Sequence, residues 1–127
     1  MTLSTEDRLA IHELVALHGH LVDDHQPERL DELFTADAVL DIEQFGYGTI
    51  RGLARLREVF AGREGHPIGH HTTNTIVTVS ADGTVRARSK GFGVNADGTA
   101  GTTVYDDVVT ATPNGWRIAH RTVVKRE

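Results

Sequence analysis

Just past its midpoint the chain changes the spacing of its apolar residues. Up to about residue 62 they recur every three or four positions, and from His70 onward they alternate. A helical period followed by a period of two predicts helices first and a sheet afterwards, an α+β fold whose two halves pack as layers. Four strands are predicted over residues 70–80, 84–95, 101–112 and 116–125. They are joined by Asp82-Gly83, Asp97-Gly98 and Pro113-Asn114-Gly115, which favour tight hairpin turns. The second half therefore reads as an antiparallel meander. No linker, repeat or low-complexity segment divides residues 1–127, so a single domain is expected.

The first half carries three helical patterns. Residues 4–24 form the longest, with Ser4 as N-cap, Asp7 in the first turn and Ile11, Leu14, Val15, Leu21 and Val22 on one face. A short helix follows from Pro27, with Leu30, Leu33 and Phe34 on its apolar side, and Thr35-Ala36-Asp37 is expected to end it. Residues 38–43 read as a short strand and Gly46-Tyr47-Gly48 as a loop. Residues 52–61 form a third helix with Leu53, Leu56 and Phe60 inward and Gly62 as C-cap, and residues 63–69 form a loop.

Alternation predicts which strand faces meet the helices. Val85, Ala87, Ser89 and Gly91 are expected inward and Arg86, Arg88 and Lys90 outward. On the last strand Trp116, Ile118 and His120 are expected on one face, with Arg117, Ala119 and Arg121 on the opposite, charged face. Ala87, Ser89, Gly91 and Gly93 are too small to fill the space beneath the first helix, which predicts a pocket there.

Composition narrows the function. A net charge of −5, with dispersed basic residues, argues against nucleic acid or an anionic membrane surface as partner. The absence of cysteine removes disulfides, thiolate catalysis and Cys-ligated zinc. No apolar run approaches the ~18 residues of a membrane span, and a cytoplasmic protein is expected. The eight histidines form no HExxH or comparable ligand pattern, so no metal is expected. The Gly46/Gly48 loop lacks the length and lysine of a phosphate loop, so no nucleotide cofactor is expected either.

Two polar residues stand where structure alone gives them little reason to be. His18 lies within the apolar face of the first helix, so its imidazole enters the interior, hydrogen-bonded to backbone or facing a pocket. Asp23 lies in that helix's last turn, where the negative end of the dipole disfavours a carboxylate. It caps the second helix, pairs with an arginine, or serves a site. His70 and His71 project to opposite faces of their strand, so at most one enters a pocket. Tyr105 and Asp107 share a strand face. Tyr105 is core or pocket lining, and Asp107 is a pocket group or a cross-strand partner of an arginine. His120 is a further candidate on the Trp116 face.

The order of elements, together with Asp23, residues 30–39 (Leu-Asp-Glu-Leu-Phe-Thr-Ala-Asp-Ala-Val), Gly52, His70-His71-Thr72-Thr73-Asn74, Tyr105-Asp106-Asp107 and Gly115-Trp116-Arg117-Ile118 with Arg121, resembles the SnoaL-like polyketide cyclase family. That family lies within the nuclear-transport-factor-2-like superfold, which includes scytalone dehydratase and ketosteroid isomerase. The resemblance implies a cone of three helices closed by a strongly curved, mostly antiparallel sheet, with a ligand pocket at its wide end. It implies Asp23 and His70, or His71 in its place, as an acid/base pair; His18, His71, Tyr105, Asp107, Trp116 and His120 are the substrate-binding candidates. The chain departs from dehydratase relatives at His18 and Ile42, where they carry tyrosine. The expected function is a cofactor-independent lyase, isomerase or cyclase acting on a small apolar oxygenated metabolite. The alternatives are a non-catalytic binding or assembly module and an epoxide hydrolase. Relatives of this kind form dimers or trimers, so a homo-oligomer is expected.

Overall fold

The computed structural model describes residues 2–62 and 66–126. Helix α1, Thr5–Asp23, begins at a reciprocal capping box. The Asp7 amide donates to Ser4 Oγ at 3.0 Å, while Asp7 Oδ2 accepts from the Ser4 amide. This satisfies two of the amides that a helix start leaves without partners. The helix ends in a Schellman motif, with the His25 amide bonded to the Val22 carbonyl and the Gln26 amide to the Leu21 carbonyl. His25 takes the left-handed conformation (φ 54°) usually held by glycine. The chain thus turns away immediately after Asp23 and leaves its carboxylate at the helix tip.

A 3₁₀ helix, Pro27–Glu32, leads into β1, Phe34–Asp41. Thr35-Ala36-Asp37, expected to end the helix, lies instead in the irregular part of this strand, because the helix has already ended at Glu32. The six residues of β1 from Phe34 to Val39 pass against three of the last strand, from Ile118 to His120. Thr35 Oγ1 holds the protrusion by donating to Asp37 Oδ1 at 3.0 Å. A three-residue strand β2, Thr49–Arg51, follows the Gly46-Tyr47-Gly48 loop where the sequence predicted no element, and α2 spans Leu53–Ala61 with Gly62 as its cap. Expectations for residues 63–65 lie outside the described residues.

The meander is present as read: β3 Gly69–Val79, β4 Val85–Val94, β5 Ala100–Thr112 and β6 Gly115–Lys125. The six strands form one sheet in the order β2-β1-β6-β5-β4-β3, antiparallel except for β1 against β6. β4 alternates as predicted, with Val85, Ala87 and Ser89 buried and Arg86, Arg88 and Lys90 exposed. The sheet curves around α1 and α2, and Ile11, Val15, Phe34, Leu56, Val77 and Ile118 form the centre of the core between them. Among the described residues no helix is long and apolar enough to cross a membrane.

One irregularity decides which residues face inward. Val108 pairs with His120 and Val109 with Ile118, so Ala119 is an extra residue in β6. Such a bulge reverses the facing of everything beyond it. His120 therefore turns out of the interior and Arg121 turns into it, the opposite of strict alternation.

Candidate active site

A cavity of about 810 Å³ lies between α1, α2 and the concave face of the sheet. This is within the range that holds small organic ligands. Leu40, Ile42, Ile50, Val59 and Phe60 form much of its wall, and Gly91 and Gly93 line its sheet side. The small residues on β4 do open space, but only these glycines reach the cavity, while Ala87 and Ser89 are buried within the packed layer. Gly91 has a specific task. A Cβ there would overlap the Tyr105 ring and the Thr103 hydroxyl, so its hydrogen lets the tyrosine lie flat against β4.

His70 and Asp23 meet at one side of this cavity. Asp23 Oδ1 accepts from His70 Nδ1 at 2.7 Å, and Oδ2 accepts from the His70 backbone amide at 2.9 Å. The amide bond explains how a carboxylate tolerates the negative end of α1: β3 supplies two donors where the helix supplies none. An ionised carboxylate can only accept, so in the neutral ring Nδ1 carries the proton and Nε2 the lone pair. The pair is partly shielded, with the His70 side chain 17% and the Asp23 side chain 26% exposed. Asp23 reaches His70 from a smaller recess, of about 260 Å³, that it shares with His25 and His66. Desolvation, then the neighbouring His70 and His25, lowers the pKa of His66.

The approach of β3 to the helix tip depends on Gly19. A Cβ at this position would overlap the His70 carbonyl oxygen, closer than real Cβ contacts come. A glycine within a helix normally costs about 1 kcal/mol relative to alanine. Here it lets the strand carrying His70 lie directly on α1.

His18 and Tyr105 complete the wall. The His18 ring stands edge-on to Tyr105 at 5.6 Å and to His70 and Phe60 at 5.9 Å each. Its pKa is held well below the ordinary value of 6.5, first by burial, then by the charge of Arg121 and by His70. His18 is thus neutral, and its buried Nδ1 has no hydrogen-bond partner.

Other candidates lie elsewhere. His71 projects to the outer face, exposed and tilted against Phe92. Trp116 is not in the cavity wall; its Nε1–H donates to Asp7 Oδ1 at 3.1 Å and ties β6 to the start of α1. His120 faces away because of the bulge at Ala119. Asp107 is buried behind the wall, with both oxygens on Arg121, from Nε at 2.7 Å and Nη2 at 2.8 Å. Arg121, expected on the charged outer face, lines the cavity instead, 1% exposed. Burial alone would lower its pKa, and the Asp107 charge and hydrogen bonds outweigh that to raise it.

Comparison with known proteins agrees with this architecture. Residues 4–122 match the family model described as SnoaL-like domain. A Novosphingobium aromaticivorans protein described as a candidate aromatic ring hydroxylase is 32% identical, with a TM-score of 0.80, over 99% of this chain and 93% of its own. A second protein from that organism, described as NTF2-like with a cystatin-like fold, is 30% identical, with a TM-score of 0.75, over 93% of this chain and 80% of its own. A candidate scytalone dehydratase, also from Novosphingobium aromaticivorans, shares the fold with a TM-score of 0.76 at 18% identity, over 98% of this chain and 89% of its own. No curated protein matches. The helices laid into a curved mixed sheet and the match over residues 4–122 place the chain in the SnoaL-like domain family, on the NTF2-like fold.

Proposed function

We propose that the protein is a cofactor-independent acid/base enzyme, a lyase, isomerase or cyclase, acting on a small, largely apolar, oxygenated molecule. The observation that carries this reading is the 2.7 Å bond between Asp23 and Nδ1 of a histidine in the wall of a mostly apolar cavity. In this mechanism Nε2 of His70 removes a proton next to a carbonyl, and the electron pair moves onto the carbonyl oxygen. Asp23 fixes the ring tautomer and stabilises the imidazolium that forms. The imidazolium then returns the proton to another carbon, completing an isomerisation, or to a departing β-hydroxyl, completing a dehydration. In a cyclase the enolate carbon attacks a second carbonyl of the same molecule, and the alkoxide that forms takes the proton back from the imidazolium. His18 and Tyr105 pack around the substrate. The description of the 32% identical relative as a candidate aromatic ring hydroxylase supports a ring-containing substrate.

Epoxide hydrolysis with a carboxylate as the base has less support, because among the described residues no carboxylate lines the cavity. Asp107 spends both oxygens on Arg121, and Asp23 is committed to His70. The test is proton exchange into deuterium oxide, followed by NMR, with 2-tetralone and related ring ketones as probes. Wild type should accelerate exchange over buffer, and His70→Ala and Asp23→Asn should each remove about 10²- to 10⁴-fold of that acceleration. Saturable binding of the ketones with no accelerated exchange would replace this reading with the non-catalytic binding module.

A further inference from the structure

Arg121 is held from two directions. Asp107 takes the Nε and Nη2 edge of its guanidinium, and Tyr105 lies beneath it with its ring centroid 4.3 Å from Cζ. The third nitrogen, Nη1, is buried and has no partner. A guanidinium carries five N–H donors, and leaving donors of a buried cation unmade is costly. Because Arg121 lines the cavity, the place where those donors can be satisfied is the cavity itself. The surrounding charge is consistent with this. Among the described residues, the charged side chains along the cavity are Arg55, Arg121, Lys125 and Arg126, with no carboxylate, in a chain whose net charge is −5. Arg55 is paired with Glu58 at the surface.

We propose that the cavity is built for an apolar ring molecule bearing an anionic oxygen, a carboxylate or a phenolate, with that oxygen on Nη1 of Arg121. The inference rests on the cavity being the substrate site and names the class of molecule it takes. Asp107 neutralises much of the guanidinium's charge at long range, but the hydrogens of Nη1 point away from it. What remains is a donor pair locked in place by the carboxylate and the tyrosine, which loses little conformational freedom when it binds. His18, neutral and edge-on to Tyr105, separates this anchor from His70. The anionic end of the molecule is therefore fixed on one side of the cavity, and its reacting carbon is presented to His70 on the other.

The test is binding, which needs no turnover, so a protein that fails to exchange protons still gives an answer. Calorimetric titration compares 2-naphthoate with 2-naphthamide, which has nearly the same shape and no charge. The phenolate is tested with 4-nitrophenol, whose visible absorption reports its ionisation. Wild type should prefer the carboxylate by about tenfold to a hundredfold, the range of a charge-assisted hydrogen bond, or should convert bound nitrophenol to its phenolate. Whichever probe responds identifies the anion. The paired variant Arg121→Met/Asp107→Leu removes anchor and counter-charge together, and retained naphthamide binding shows that its cavity is intact. There the anion preference should vanish. Equal binding of amide and carboxylate by wild type, with nitrophenol bound neutral, would overturn the proposal. So would a preference that survives in the paired variant, which would place the anion on the cations at the cavity mouth.

Discussion

Replacing Gly19 with alanine sets two effects of known sign against each other. Within α1 the substitution should stabilise the helix by about 1 kcal/mol, since alanine is the better helix former. The added methyl, however, overlaps the carbonyl oxygen of His70, a backbone atom that cannot rotate aside. Relief requires β3 to move off α1, and overpacking of this kind costs roughly 1–3 kcal/mol. The net expectation is a loss of about 0–2 kcal/mol where propensity alone predicts a gain. The exposed Ala16, on the same helix, calibrates the propensity effect, because Ala16→Gly should cost about 1 kcal/mol with no clash. The functional consequence is larger. The displaced backbone carries both groups that Asp23 binds, and a misplacement of roughly 1 Å can cost about 10²-fold in rate. Urea unfolding gives the stability, and the NMR resonance of the His70 Nδ1 proton reports the bond to Asp23. A Gly19→Ala protein stabilised by the full propensity gain, with that resonance unmoved, would refute the close-packing argument.

Two further outcomes follow from buried charge. Arg121→Met alone leaves Asp107 as an uncompensated buried carboxylate and should lower stability by about 3–5 kcal/mol, whereas Arg121→Met/Asp107→Leu should recover most of that loss in urea unfolding. His18 is buried neutral, so the unfolded chain binds more protons than the fold once pH drops below the ordinary histidine value of 6.5. Stability should therefore be intact above that pH and fall on acidification by up to about 1.4 kcal/mol per pH unit, with His66 adding in the same direction. His18→Leu should flatten the slope between pH 6.5 and 5.5, and an unchanged slope would show that His18 charges freely in the fold.

Much of this was legible in residue order because it depends on neighbours along the chain. The capping box at Ser4 and Asp7, the hairpin turns and the alternation on β4 are local, and each appears where the sequence puts it. Asp23 stood out as a carboxylate at the wrong end of a helix, and a histidine placed among apolar residues on one face marked His18. What the strand pattern could not resolve was whether His70 or His71 faces inward, since a one-residue shift exchanges them. The register against β4 decides it.

The remaining features arise from contacts between distant segments. Arg117, Ala119 and Arg121 alternate as an outer face should, and nothing local marks Ala119 as the extra residue. The bulge exists because β6 must pair with β5 on one side and β1 on the other while the sheet curves. It exchanges His120 for Arg121 in the cavity. Gly19 reads as a flaw in a helix until β3 is laid across it, and Gly91 as a weak strand residue until the Tyr105 ring occupies its place. The sequence alone thus determined the layers and the turns, and it marked Asp23 and His18 as polar residues in unusual places. The pairing of strands far apart in the chain decided which charged group enters the cavity, because side-chain facing in a sheet is set by register with its neighbours and not by the strand's own pattern.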